Sequence, residues 1–124
     1  MGYFDRVFET KDEVVTIPNV VGALFQELTV SGAIKANLVG LNHTTVIIAA
    51  TLPAPVAGQI CFIVDTSASG TAAHTVTVPS GVTFDGTNNT ATLNAPNEAL
   101  YLVAVSTTRW QIILNVGSVA LSTV

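Results

Sequence analysis

The stretch "ATLPAPVAGQICFIVD" at residues 50–65 combines turn chemistry with strand chemistry and holds a single charged residue. Its prolines restrict φ and remove backbone donors, and its glycine permits unusual backbone angles, so residues 53–58 are predicted to connect two strands. The runs on either side, "TTVIIAATL" at 44–52 and "GQICFIVD" at 58–65, are continuously apolar. Such runs are typical of strands that are buried on both faces.

The C-terminal half repeats this alternation of strand and turn. "HTVTVP" at 74–79 alternates valine with threonine, and "TATLN" at 90–94 returns after "DG" and "NN" dipeptides, which favour a hairpin. The longest apolar runs, "ALYLVAVS" at 99–106 and "TTRWQIILNVG" at 107–117, are predicted to pair with each other and to lie centrally in a sheet. These patterns predict an all-β fold, either an antiparallel β-sandwich or a jelly-roll-like barrel, of about eight strands.

The N-terminal half is predicted to add three shorter elements. "EVVTI" at 13–17 is a strand candidate that ends at a proline, and "GALFQELTV" at 22–30 is expected to open with a helical turn before a short strand. "AIKANLVG" at 33–40 alternates apolar and polar residues as a half-buried strand does. The sandwich domain is therefore expected to cover residues 14–124.

Charge is distributed unevenly along the 124 residues, which is the length of one domain. Charged residues make up 10% of the chain, against about 25% in ordinary globular domains, and residues 1–13 hold six of the twelve. These thirteen residues also carry an apolar face. They are either a frayed terminus or an arm that docks on another subunit or a larger particle, and the second interpretation makes them the predicted interface: Tyr3, Phe4, Arg6, Val7 and Phe8.

Composition also bears on the class of partner. The four Lys and Arg residues do not cluster and the net charge is −4, which argues against binding of nucleic acid or an anionic membrane. The N-terminus has charges where a signal peptide has its apolar region, and the longest apolar run, "ALYLVAV" at 99–105, is seven residues, so neither an export signal nor a transmembrane helix is expected. A neutral body with unprotected sheet edges instead predicts burial in a symmetric oligomer.

No arrangement of residues predicts catalysis, a cofactor, a metal or a small-molecule substrate. His43 and His74 lie too far apart in sequence for a metal-ligand motif, and Cys61 has apolar neighbours that disfavour its thiolate. The "DGTNNT" loop at 85–90 resembles a calcium loop only faintly, and a hairpin turn accounts for it. Trp110 is expected in the core or at an interface, since it shares a strand face with apolar neighbours.

Three segments in succession carry a resemblance: "TTVIIAATLPAPVAGQICFIV", "HTVTVPSGVTFDGTNNTATL" and "EALYLVAVSTTRWQIILNVGSVALS". Across residues 30–122 this succession resembles small β-sandwich modules of tailed-bacteriophage virions, namely capsid decoration (cement) proteins and head or tail fibre domains. The chain is too short for a whole tail fibre and lacks the repeats of a fibre shaft, which favours a decoration protein.

The resemblance implies a non-enzymatic virion protein, often a homotrimer. Such a protein is made in the host cytoplasm, binds the major capsid protein on the outside of the capsid and stabilises the shell. The alternative is a head or tail fibre module that binds a receptor or a glycan through Trp110 and nearby loops. An enzyme such as a small hydrolase and an unrelated β-sandwich binding module are the remaining alternatives.

Overall fold

The computed structural model describes residues 25–70 and 72–124, and within them the all-β sandwich is confirmed. Ten strands form two five-stranded sheets, here called sheet A and sheet B. Sheet A has the order β1-β3-β5-β8-β9 and sheet B the order β10-β7-β6-β4-β2. The strands are β1 Phe25–Leu28, β2 Gly32–Ala33, β3 Leu38–Leu41, β4 Ala49–Thr51, β5 Ile60–Asp65, β6 His74–Thr77, β7 Thr90–Leu93, β8 Ala99–Ser106, β9 Arg109–Val116 and β10 Ala120–Ser122. The predicted arm at 1–13 and the strand predicted at 13–17 lie outside the described residues.

The first six strands pair with one another in parallel, which the sequence pattern did not predict. They alternate between the sheets, so that each odd strand joins sheet A and each even strand joins sheet B. A chain that winds in this way re-enters each sheet in the same direction, and β1 with β3, β3 with β5, β2 with β4 and β4 with β6 all pair in parallel. The sandwich is therefore mixed, and the expectation of a wholly antiparallel one is wrong.

Two strand predictions change because of this winding. The segment at 33–40 is not one strand, because residues 34–37 carry the chain from β2 in sheet B to β3 in sheet A. The strand predicted at 44–52 is only three residues long. In the rest of this segment, histidine side chains bind backbone groups. The Val46 N–H donates to Nδ1 of His43, and the Ile48 N–H donates to Nδ1 of His74.

The two hairpins of the C-terminal half are antiparallel, as predicted. β6 pairs with β7 across the "DG" turn, where Gly86 has φ of +99° and the Asp85 carboxylate accepts the backbone N–H groups of Thr87 and Asn88. β8 and β9 are the longest strands and form a hairpin, as expected. β8 is an interior strand, but β9 lies at the edge of sheet A, so its predicted central position is wrong.

The core lies between the sheets, and alternate residues of β5, β6 and β8 point into it. In β5, Cys61 and Ile63 face inward, and the facing layer includes Val76 and Leu93 of sheet B. The indole N–H of Trp110 donates to the Pro53 carbonyl oxygen at 2.9 Å and ties β9 to the connector at 53–58. The core therefore uses about half of the residues of these strands, and the other half point outward.

Candidate assembly surface

The outward side of sheet A carries a row of large apolar and aromatic side chains that crosses all five strands. Register pairs Phe25 with Leu38, Leu38 with Phe62, Phe62 with Tyr101, and Tyr101 with Leu114. Paired residues in a sheet point to the same face. These five side chains therefore form one continuous line, here called the central row.

The central row is exposed to solvent along most of its length. The exposed fractions are 56% for Phe25, 40% for Leu38, 39% for Phe62 and 53% for Leu114. Tyr101 is half-buried because its ring lies against that of Phe62, with centroids 4.1 Å apart and planes tilted by 48°. Aromatic pairs contribute stability beyond their buried area, so this contact favours the observed arrangement of the two rings.

Other large apolar residues flank the central row. Ile60, Val105 and Val116 are each more than two-fifths exposed, and Ile113 is 57% exposed at an irregularity in the pairing of β8 with β9. The central row and these four residues together are called the apolar face below. Contiguous exposed apolar surface on this scale marks an interaction site, whereas scattered apolar residues do not.

The outward side of sheet B has the opposite chemistry. Its two rows, again taken from the register, consist of threonine, serine and alanine: Ala33, Thr51, Thr77, Thr90 and Ser122 in one, and Ala49, Thr75, Thr92 and Ala120 in the other. Small hydroxylated side chains are compatible with water on a solvated sheet face. The outward side of sheet B is therefore compatible with contact with water, whereas the apolar face of sheet A is not.

Folding brings together Ser67, His74 and Asp65, which the sequence analysis did not connect. Their side chains have the residue types of a catalytic triad but not its geometry. His74 Nδ1 accepts the Ile48 backbone N–H at 3.0 Å, and the Asp65 carboxylate accepts the Ser67 backbone N–H at 3.0 Å and makes no bond to the imidazole. The Ser67 hydroxyl lies 3.0 Å from the His43 carbonyl oxygen, to which it donates.

This cluster is structural. All three of its side chains are buried, His74 completely, and hydrogen bonds within the protein engage both His74 nitrogens, the Ser67 hydroxyl and Oδ1 of Asp65. Because His74 Nδ1 faces a donor, the neutral ring carries its hydrogen on Nε2, which donates to the His43 carbonyl oxygen at 3.0 Å. The ring thereby joins β6 to the loop that precedes β4. The Ser67 hydroxyl lies 3.3 Å from Nε2, and because that nitrogen already carries the hydrogen, it cannot accept a proton from Ser67.

Cys61 and Asp85 are likewise accounted for by their surroundings. Burial raises the pKa of the Cys61 thiol to about 12, so the thiol is protonated at neutral pH. Hydrogen bonds from Asn88 and Thr87 hold the pKa of the Asp85 carboxyl below its usual range. Within the described ranges, no group of three or more His, Cys, Asp and Glu residues is placed to hold a metal ion.

Trp110 lies in the core rather than on a surface. It is 2% exposed, and it is one of the residues that line an open cleft of about 320 Å³, together with Lys35, Asn37 and Gln59. A buried indole whose N–H is already bonded to a carbonyl has no free ring face for stacking on a sugar. The tryptophan signal in the sequence therefore marked the core.

The predicted interface residues Tyr3, Phe4, Arg6, Val7 and Phe8 lie outside the described residues. The sequence contained a signal for the apolar face, but the apolar run at 58–65 was interpreted as a strand buried on both faces. The run "ICFIV" is apolar at every position, and the structure buries only alternate members of it. Nothing in the chain itself covers the other half among the described residues.

A scan against protein-family models finds no match, and a search of the curated proteins finds none either. Among residues 25–70 and 72–124, no helix is long and apolar enough to cross a membrane.

Proposed function

We propose that this chain is a structural protein of a phage virion, which binds the outside of the capsid as a decoration (cement) protein, stabilises the shell and acts as a homotrimer. The observation that carries this proposal is the apolar face of sheet A. A surface of this kind is suited to association with protein, and the buried Ser67, His74 and Asp65 side chains lack the arrangement that acyl transfer needs.

The distribution of charge supports the same function. The described domain is nearly neutral, and half of the charged residues of the whole chain lie in residues 1–13. A neutral domain can pack closely against its own copies, while a charged and aromatic arm can bind a partner of different chemistry. The major capsid protein is that partner in the proposal.

The decoration role rather than a fibre role rests on the resemblance and on Trp110. The fibre alternative drawn from the sequence used Trp110 and nearby loops to bind a receptor or a glycan. Trp110, the side chain considered for that purpose, is buried and bonded to Pro53. The proposed place of the protein is therefore the capsid surface, with synthesis in the host cytoplasm.

Capsid binding tests the proposal directly. Capsids from a phage in which the gene for this chain is deleted are mixed with increasing amounts of purified protein and pelleted. The proposal predicts saturable co-sedimentation at a fixed ratio to the major capsid protein, together with an increased resistance of the shells to heat. Protein that stays in the supernatant at all ratios would contradict the proposal.

A further inference from the structure

We propose that the apolar face is the surface through which copies of this chain associate, so that the sheet A faces of the three copies meet around a common three-fold axis. This inference deepens the proposed function and rests on it for the oligomeric state. It assigns self-association to the described domain and leaves the arm at 1–13 for the capsid. Four observations support a second copy as the occupant.

The first observation is the pattern of β5. Ile60 and Phe62 point outward and are 42% and 39% exposed, whereas Cys61 and Ile63 between them are 3% and 0% exposed. A strand that is apolar on both sides is typical of a sheet between two layers. Sheet B is one layer, and the second has to come from outside the described domain.

The second observation is the size of the surface. The exposed parts of the apolar side chains amount to on the order of 700 Å², if fully exposed side chains of these types present about 150–200 Å² each. The largest apolar patch on a typical monomer is about 300–600 Å². A standard protein interface buries about 600–1,000 Å² per partner, and the area of the apolar face lies within this range.

The third observation concerns charge. Two copies of one surface bring identical groups together, and a charged centre would therefore repel itself. The central row holds no charge, and the charged side chains at the perimeter are Glu27 on the outermost strand β1 and Arg109 at the start of β9. A neutral centre with a polar rim has the composition of a self-associating interface.

The fourth observation is the half-open edge of β9. Its N-terminal half is covered by residues 83–84, because the backbone N–H groups of Trp110 and Ile112 donate to the carbonyl oxygens of Thr83 and Phe84. No such backbone bond to a residue outside the sheet is made by residues 113–116 among the described residues. The uncovered half is therefore the half that carries the apolar face, and a second copy that covers the face also shields this edge from aggregation.

The test uses matched substitutions on the two edge strands. Leu114→Glu places a carboxylate in the central row on β9, and Ala120→Glu places the same group on the outward side of β10, the edge strand of sheet B. Leu114→Thr keeps the preference for strand structure and removes part of the apolar area. Circular dichroism and cooperative thermal unfolding establish which variants are folded, and sedimentation equilibrium measures their association.

The expected result is a specific loss of association. The wild-type protein and Ala120→Glu sediment as the same oligomer, while Leu114→Glu associates at least roughly thirtyfold more weakly, which is the effect of losing the burial of one leucine side chain. Leu114→Thr falls between them and supplies the answer if Leu114→Glu does not fold. Folded Leu114 variants that keep the wild-type mass and dissociation constant would overturn the inference.

Capsid co-sedimentation of the same proteins separates this inference from the proposed function. Leu114 variants that remain oligomeric and lose capsid binding would place the capsid on the apolar face, which overturns the inference and leaves the decoration role intact. A wild-type monomer that binds capsids would also overturn the inference and leave the decoration role intact. A monomer whose apolar face is covered by its own residues 1–24 would do the same. A wild-type oligomer that depends on Leu114 and ignores capsids would support the inference and contradict the proposed function.

Discussion

The buried imidazole of His74 provides the sharpest test of how the domain is held together. In His74→Ala, the Ile48 backbone N–H loses its acceptor and the ring volume is left empty in a site that is 0% exposed. His74→Leu fills most of that volume but supplies no acceptor. The pair of variants therefore separates the hydrogen bond from the packing.

The expected magnitudes follow from these contacts. An unsatisfied buried N–H costs about 1–3 kcal/mol, and the empty space left by a ring adds about 2 kcal/mol. We expect His74→Ala to lower the free energy of unfolding by about 3–5 kcal/mol and His74→Leu by about 1–3 kcal/mol. For a domain of this size the larger loss corresponds to a fall in Tm of about 15–30 °C.

His43→Ala is the matched control. The His43 ring also accepts backbone N–H groups through Nδ1, from Thr45 and Val46, but these two residues are exposed. Water replaces the lost bonds there, so we expect a cost of about 1 kcal/mol or less. Urea unfolding followed by circular dichroism, at one fixed protein concentration, gives all three values. A His74→Ala variant no less stable than His43→Ala would refute the structural role assigned to the imidazole.

Three further predictions concern the backbone, the thiol and the arm. Gly70 and Gly58 have φ of +109° and +99°, but only at Gly70 would an added Cβ lie 2.1 Å from the Thr44 carbonyl oxygen. Gly70→Ala should therefore destabilise the domain by at least about 2 kcal/mol more than Gly58→Ala, as measured by thermal unfolding. Equal losses of stability in the two variants would contradict this contact. Because burial raises the pKa of the Cys61 thiol to about 12, the folded state keeps a proton that the unfolded chain releases near pH 8.5, and stability should fall as the pH rises between these values. That part of the pH dependence should be absent from Cys61→Ala, and a thiol reagent at neutral pH should label the wild-type protein only after unfolding; rapid labelling of the folded protein would argue against the burial. Deletion of residues 1–12 should leave a folded oligomer that no longer co-sediments with capsids, and unchanged attachment would remove the arm from the proposal.

Sequence reasoning predicted the sandwich because alternation and turn residues are local signals. The prolines at 53 and 55 mark the connector before β5, and the alternation of His74–Thr77 matches a strand with one buried face. Whether two strands pair in parallel or antiparallel could not be predicted in this way, because both kinds of pair have the same side-chain period of two residues. Winding between two sheets therefore could not be predicted from the strands one at a time.

The candidate site was only half visible for a related reason. Continuous apolar runs indicated burial on both faces, and this was informative for β5, but a sequence does not say whether the second layer belongs to the same chain. The central row was not predictable, because it depends on a register that joins Phe25, Leu38, Phe62, Tyr101 and Leu114 across five strands. The contacts of His74 with Ile48 and His43 likewise span 26 and 31 residues of sequence.

The native mass of the purified wild-type protein, measured by sedimentation equilibrium over two decades of concentration, shows whether the apolar, weakly charged domain assembles with its own copies. We expect a mass of three times the 12.8 kDa of the chain that does not change on dilution. A monomer at every concentration would contradict this expectation, because about 700 Å² of apolar surface would then have no partner among copies of the chain.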